Sequence, residues 1–156
     1  MKQFFILMYI FLVSAPEFSQ AMTAGFGFDF SEPIDVDAFN PKNMGTLQGR
    51  VAEVLQIPKT TGMGNIVIVG FEYEHGMIFA MLGPDWYMKN QGVEIKKGDY
   101  LIVRGSKINY HDKVIMMATE ITYNDKVIPL RNKVNGRSEW SEWRKDEGLF
   151  YKNYSL

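Results

Sequence analysis

The sequence has no cysteine, and it has only two histidines among its 156 residues. The absence of cysteine excludes disulfide bonds, thiol nucleophiles, CxxC redox pairs and metal sites built on thiolates. A serine hydrolase needs a histidine base, but His75 and His111 both lie in predicted hairpin turns, and no GxSxG motif is present. No glycine-rich phosphate loop opens a helix, because Gly62-Met63-Gly64 precedes a predicted strand. We therefore expect a protein that is not an enzyme and that carries no cofactor and no metal.

Long apolar runs are also scarce, and the one that stands out lies at the N-terminus. Residues 4–13 form an uncharged apolar run behind a lysine, and Ser19 and Ala21 place small side chains three and one residues before a possible cleavage site. A helix of this length extends about 15 Å, which is half of a hydrocarbon core and too short to span it. Such a pattern is typical of a secretory signal, here residues 1–21. The sequence therefore predicts a periplasmic or secreted protein, cleaved near Ala21, whose mature chain has no transmembrane segment.

Charge is nearly balanced along the chain, with a formal net charge of -1, but it is unevenly distributed. Residues 22–44 carry four acidic side chains against one lysine, and residues 126–145 carry six basic side chains against two acidic ones. This asymmetry has three possible causes: a solvated basic face, an anionic partner at the C-terminal segment, or pairing between the two ends of the chain.

Alternation of apolar and polar residues predicts β-strands over most of residues 45–130. It is clearest in residues 66–74, where an inward face and an outward face are predicted. The inward face consists of Val67, Val69, Phe71 and Tyr73, and the outward face of Ile66, Ile68, Gly70, Glu72 and Glu74. The predicted strands are residues 46–56, 66–74, 77–82, 100–107, 113–121 and 126–130. An irregularity is predicted between Val51 and Val54, a loop at residues 57–65, and connections at residues 75–76 and 109–112.

The pattern changes at residues 83–92, which predict a short helix. Pro84 suits its first turn, where a missing N–H is not needed, and Gly92 suits its C-terminal cap. Three strands, a short helix and two strands is the order of an OB-type barrel, a five-stranded Greek-key fold with a helix between strands 3 and 4. An SH3-like barrel lacks that helix, and a sandwich needs about seven strands. The predicted fold class is therefore mainly β, of OB type.

The segments on either side of the barrel have no clear period. Residues 22–44 form a predicted extended acidic lead-in, residues 45–130 the barrel, and residues 131–156 an aromatic and basic tail packed on the barrel. The phenylalanines of the lead-in are candidates for docking on the barrel; they are Phe26, Phe28, Phe30 and Phe39.

Several short motifs carry a family resemblance. They are Leu82-Gly83-Pro84-Asp85-Trp86-Tyr87, Lys97-Gly98-Asp99, Val103-Arg104-Gly105-Ser106, and the ending Leu130-Arg131-Asn132, Gly136, Trp140 and Trp143-Arg144. Over residues 45–144 the chain resembles a group of small bacterial exported OB-fold proteins of poorly defined function. It departs from that group at Met81, where a histidine is common, and at Asn132, where an acidic residue is common. The resemblance implies a binding or accessory domain.

Four aromatic residues and one arginine are the candidate ligand-binding residues: Trp86, Tyr87, Arg131, Trp140 and Trp143. Trp86 and Tyr87 are predicted to form either a plug in the core or a shelf for a ligand. The two indoles of Trp140 and Trp143 are predicted either to cover the open end of the barrel as a lid or to form an exposed patch with neighbouring arginines. Exposed aromatic and arginine side chains of that kind are enriched at interaction hot spots.

Two other functions stay open at this point. OB-folds often bind single-stranded nucleic acid through the face of strands 2 and 3, but this face would present Glu72 and Glu74 to phosphates. Glu72, Glu74 and His75 are also a candidate metal set, since two carboxylates and one imidazole suit a hard or borderline ion. We expect a periplasmic non-enzymatic binding or accessory module for a protein or small molecule. The alternatives are a nucleic-acid binder and a metal-binding protein or small metal-dependent enzyme.

Overall fold

The computed structural model describes residues 29–58 and 64–141. The strands are β1 (Met44–Pro58), β2 (Asn65–Tyr73), β3 (Gly76–Pro84), β4 (Tyr100–Tyr110), β5 (Lys113–Tyr123) and β6 (Lys126–Pro129). The helix α1 (Asp85–Asn90) lies between β3 and β4, and two 3-10 turns (Val36–Ala38 and Pro41–Asn43) precede β1. None of the helical segments in the two described ranges has the length and apolar composition that crossing a bilayer requires.

The strands close into a barrel. Neighbours pair in the order β3-β2-β1-β4-β5-β6, and each of these pairs is antiparallel. β3 and β5 also pair in parallel, at Ala80–Met116 and Met81–Met117, which joins the two edges of the five-stranded sheet. This connectivity, with α1 between the third and fourth strands, is the OB-type Greek-key barrel. The predicted fold class is confirmed, and β6 adds a short strand outside the closed barrel.

The first strand is longer than the sequence predicted. β1 continues through Ile57 and Pro58, and β2 begins at Asn65, so the predicted 57–65 loop is wrong at both of its ends. Proline is tolerated there because it stands at the end of the strand, where a missing N–H costs little pairing. Residues 59–63 lie outside the described residues. The pairing register of β1 shifts between Val51 and Glu53, which is the irregularity that the sequence predicted.

The helix is shorter than predicted. β3 continues to Pro84, whose backbone is extended, and α1 begins only at Asp85. At the other end, the N–H of Gly92 donates to the carbonyl oxygen of Lys89 at 2.9 Å, and the next N–H donates to that of Met88 at 3.0 Å. These two bonds form a Schellman motif, and Gly92 has the positive φ of 73° that the motif needs. The predicted C-terminal cap is therefore confirmed.

The interior of the barrel is filled by side chains from its strands. The predicted inward set of β2 is confirmed for Val67, Val69 and Phe71, which are all buried. It is wrong for Tyr73, which is 47% exposed, because the end of β2 extends past the core into the turn toward β3. The interior side chains contributed by the other strands include Leu47, Val51, Ala80, Leu82, Leu101, Val103, Met116, Ala118 and Ile121.

A second apolar cluster lies on the outside of the barrel wall. Its members alternate along the strands with the interior residues; they are Ile68, Phe79, Met81, Ile108, Tyr110, Ile115 and Met117, which we call the covered face. Residues 29–43, the cover segment, lie over it, with four apolar side chains packed against it: Phe30, Ile34, Ala38 and Phe39. Two of the four predicted phenylalanines therefore dock on the barrel, and Phe26 and Phe28 lie outside the described residues. The predicted outward position of Ile68 is correct for the strand, but the side chain is not exposed.

Candidate functional site

Three of the five predicted ligand-binding residues lie together and are buried. Tyr87, Arg131 and Trp140, which we call the seam cluster, have exposed fractions of 1%, 5% and 5%. Trp86 is half-buried beside them. Trp143 lies outside the described residues.

Arg131 connects the two strands that close the barrel. Its Nη1 donates to the carbonyl oxygens of Leu82 in β3, at 2.9 Å, and Ala118 in β5, at 2.7 Å. These residues directly follow Met81 and Met117, the last pair of the parallel ladder. The guanidinium therefore joins β3 to β5 at the point where their parallel pairing ends.

The charge of Arg131 has no carboxylate partner among the described residues. Burial lowers its pKa to about 9, so the guanidinium still carries its charge at neutral pH. The ring of Trp140 lies over it, with the guanidinium carbon 4.7 Å from the ring centroid. A cation above the face of an indole is attracted to it, and the two carbonyl oxygens add further stabilisation.

Trp140 fits against the barrel because β3 has a glycine at that point. A Cβ atom on Gly83 would lie 2.6 Å from Cζ3 of Trp140, closer than any side chain could tolerate. The ring centroids of Trp140 and Tyr87 are 5.5 Å apart, and the Tyr87 hydroxyl donates to the carbonyl oxygen of Pro129 at 2.8 Å. Burial, and after it the negative charge of Glu139, raises the pKa of Tyr87. The cluster thus ties α1, β3 and β6 to the tail.

Hydrogen bonds fix the cover segment at both ends. The Tyr110 hydroxyl donates to the carbonyl oxygens of Asp29 and Glu32, at 3.0 and 2.9 Å. The Ser106 hydroxyl accepts from the Asn40 N–H at 3.0 Å and donates to the Asn40 carbonyl oxygen at 2.9 Å. The cover segment therefore occupies an outer face to which β2 and β3 contribute. OB-folds bind oligonucleotides through the face of these two strands.

The three side chains predicted as a possible metal set are exposed. Glu72, Glu74 and His75 lie at the solvent-facing end of the β2–β3 hairpin. Within residues 29–58 and 64–141, no group of three or more histidine or acidic side chains is placed to hold a metal ion.

His111 lies in the β4–β5 turn, with its Nε2 3.4 Å from a Glu32 carboxylate oxygen. Both residues line a shallow groove of about 270 Å³ beside the cover segment.

Another outer surface, formed by β1, β4, β5 and β6, exposes apolar side chains. Tyr100 and Val127 are 52% and 58% exposed. Strand pairing places Gln48, Ile102, Thr122 and Val127 in one row across the four strands. We call this surface the open face and define it by Arg50, Tyr100, Ile102, Arg104, Thr122 and Val127.

Basic side chains flank the apolar row of the open face. Arg104 and Lys133 both pair with Glu120, at 3.2 and 2.7 Å, so one carboxylate faces two cations. Arg50 donates from Nη1 to the carbonyl oxygen of Gly98 at 3.0 Å, which holds its guanidinium beside Tyr100 on the neighbouring strand. The open face therefore has an excess of positive charge.

Sequence reasoning missed the open face. The alternation of Tyr100, Ile102 and Arg104 with Leu101 and Val103 was visible, but it does not show which strands lie on either side. Only the pairing of β4 with β1 and β5 shows that the exposed residues form one surface.

No curated protein matches the chain. A protein family does match, over residues 43–128, which take in β1 to β5 and most of β6. The cover segment before β1 lies almost wholly outside the matched range, and Arg131 and Trp140 lie beyond its end. Because the match extends over more than half of the sequence, the chain belongs to the MamS/MamX magnetosome protein family.

Proposed function

We propose that this protein is an exported, non-enzymatic binding or accessory module of the magnetosome, and that it acts by contact with another protein. The family's name supplies the link to the magnetosome. The observation that carries the proposal is the contrast between the two outer faces of the barrel. The covered face is packed against the cover segment of the same chain. The open face exposes Tyr100 and Val127 to solvent, and Arg50 and Arg104 lie on the same surface.

A protein partner is favoured over a small molecule. Ligand pockets are concave and bury most of the ligand, whereas the barrel interior is filled with its own side chains and the open face is a sheet surface. The groove beside the cover segment is shallow and lined mainly by polar and charged side chains, among them Asp29, Glu32 and Lys113. A sheet surface with exposed tyrosine, valine and arginine side chains suits a protein contact.

A protein partner is also favoured over nucleic acid. The cover segment lies on the outer face of β2 and β3, and its exposed acidic side chains would repel phosphates. They are Asp29, Glu32, Asp35 and Asp37. Glu72 and Glu74 extend the negative charge along β2 and into the turn.

Export is supported by the N-terminal sequence. Residues 4–13 form the apolar run, and Ser19 and Ala21 are the small residues before the proposed cleavage site. The chain has no cysteine, so an exported form would have no disulfide bonds. A domain of this size can be stabilised by its core alone.

Lysine-directed cross-linking in a magnetosome-forming cell that expresses the full chain tests this function. We expect a mature N-terminus at Met22 and cross-links to a second protein in the exported or magnetosome fraction. A matched control with Leu7→Arg, which interrupts the apolar run, should stay in the cytoplasm and lose those cross-links. Recovery of the uncleaved chain from the cytoplasm, or cross-links within the chain alone, would contradict the proposal.

A further inference from the structure

We infer that the open face is the partner-binding surface and that its partner is an extended acidic segment of another protein. This inference rests on the proposed function and adds the place of contact and the chemistry of the partner. It is carried by the exposure of Tyr100 and Val127, by the row of Ile102, Thr122 and Val127 that runs beside Tyr100, and by the cations at the borders of that row.

The apolar centre of the open face is continuous. Ile102 pairs with Thr122, and Thr122 pairs with Val127, so three side chains stand side by side on the outside of the sheet. Tyr100 lies two residues before Ile102 on the same side of β4. Tyrosine contributes a large rigid contact area at a low cost in side-chain entropy. A partner that crosses β4, β5 and β6 therefore meets Ile102, Thr122 and Val127 in succession, and the exposed Gln48 of β1 lies at the end of that path.

The dimensions of the surface favour an extended segment over a second globular subunit. Four strands about 4.8 Å apart span about 14 Å, and five residues of β4 extend about the same length, which gives about 200 Å². A stable dimer buries about 800 Å² on each partner. A single strand or loop of another protein matches the smaller area.

The charge of the surface favours an acidic partner. Arg50 stands at one end, and Arg104 stands at the other with Lys133 beyond it. Glu120, which faces Arg104 and Lys133, is already paired to both, and its side chain is only 15% exposed. The unbalanced charge is therefore positive and lies on both sides of the apolar row. Lipid-binding surfaces typically have about four to eight clustered lysines and arginines, more than are present here.

Photo-cross-linking in the magnetosome-forming cell tests the place of contact. The full chain carries p-benzoylphenylalanine in place of Val127 or, as a matched control, in place of Glu72, an exposed position on β2. We expect a cross-linked protein from position 127 and none from position 72, with the attached partner peptide rich in aspartate and glutamate. Cross-links from position 72 alone would overturn this inference and leave the proposed function standing. Cross-links from neither position would overturn both.

A peptide probe tests the chemistry of the partner. The full chain, in a non-ionic detergent, is titrated into fluorescein-labelled peptides of six Glu-Tyr or six Gln-Tyr repeats, with anisotropy as the measurement. We expect the Glu-Tyr peptide to bind and the Gln-Tyr peptide to bind much more weakly. Arg50→Gln with Arg104→Gln should weaken binding about tenfold, as two exposed ion pairs would.

Two further variants complete the peptide experiment. Tyr100→Thr with Val127→Thr should weaken binding of the Glu-Tyr peptide at least as much as the arginine variant does, because it removes the exposed apolar side chains while keeping strand-forming residues. Lys107→Gln removes an exposed cation from the other side of β4 and should leave binding unchanged. Equal binding by all variants would overturn the inference. So would dimerisation through this face in sedimentation, or binding to phosphatidylglycerol vesicles without binding to the acidic peptide.

Discussion

The covered face and the open face are both outer surfaces of one small barrel, and both carry apolar side chains, but these side chains differ in their exposure to solvent. On the covered face Ile68 and Phe79 are 1% exposed, because the cover segment supplies the surface that excludes water. On the open face Tyr100 and Val127 are more than half exposed. Alternation in a strand therefore identifies two sides, but a neighbouring segment decides which of them becomes core.

This difference in burial predicts unequal contributions of the two faces to folding stability. Apolar area removed from water contributes about 25 cal/mol per Å² to folding, and the covered face gains that contribution. The apolar side chains of the open face gain little of it, because Tyr100 and Val127 remain in contact with water. Substitutions of the same type on the two faces should therefore have unequal effects on folding.

The largest contrast is expected for isoleucine. Ile68→Ala removes a fully buried side chain and should lower the free energy of unfolding by about 2–5 kcal/mol. Ile102→Ala removes the same atoms from the open face, where the side chain is only half-buried, and should cost about 1 kcal/mol or less. Urea unfolding of the two variants measures both values, and equal losses would show that the faces do not differ in this way.

Arginine should show the next largest contrast. Arg131→Met removes two buried hydrogen bonds from a charged donor to the carbonyl oxygens of Leu82 and Ala118, and it should cost about 2–4 kcal/mol. Arg104→Met removes an exposed ion pair with Glu120 and should cost less than about 1 kcal/mol. Urea unfolding again provides the measurement. An Arg131→Met variant as stable as the native chain would exclude the role of this side chain in closing the barrel.

Tyrosine should show a smaller contrast. Tyr110→Phe removes the hydroxyl that holds Asp29 and Glu32, and it should cost about 1–2 kcal/mol. Tyr100→Phe changes an exposed hydroxyl on the open face and should change stability by less than about 0.5 kcal/mol. Proteolysis of the cover segment is the second measurement, since cleavage between residues 29 and 43 should accelerate in Tyr110→Phe alone.

The smallest expected effect is a dependence on pH. Burial, followed by the negative charges of Asp29 and Glu32, raises the pKa of Tyr110 above its usual value of 10. As pH rises above 10, the tyrosine of the unfolded chain loses its proton before Tyr110 of the folded chain does. The contribution of Tyr110 to the free energy of unfolding is therefore complete below pH 10 and is lost as pH rises further. The stability difference between the native chain and Tyr110→Phe should therefore narrow above pH 10 in thermal melts. A constant difference between pH 8 and pH 11 would contradict this assignment.

Much of the fold was predictable from local patterns. The alternation in residues 67–71 and the cap at Gly92 each depend on neighbouring residues, and both are present. The predicted turn at 75–76 lies one residue earlier, at Glu74 and His75, because Gly76 already pairs with Tyr73. The ends of the strands were less predictable, because pairing continued to Pro58 and Tyr110, beyond the predicted limits. Long-range pairing extends a strand wherever a partner is available, and local sequence does not report that partner.

The candidate site was predictable only in part. Tyr87, Arg131 and Trp140 were selected because their side chains are large and chemically distinctive, and they do lie together. Their common place at the junction of β3 and β5 follows from a parallel pairing between strands more than thirty residues apart, which no local pattern contains. Exposure could not be predicted either, since Trp140 is buried only because Gly83 leaves room for its ring.

Arg131 and Trp140 also bear on the order in which the molecule is made. They follow β6 in the chain, yet they complete the contact between the third and fifth strands. Synthesis makes the N-terminal strands first, so the parallel junction between β3 and β5 lacks the Arg131 hydrogen bonds until the last quarter of the polypeptide is made. A chain cut after Leu130 contains every barrel strand and should still show faster amide hydrogen exchange at Met81 and Met117 than the full chain. Closure of the barrel therefore depends on residues that are added to the chain after all six strands.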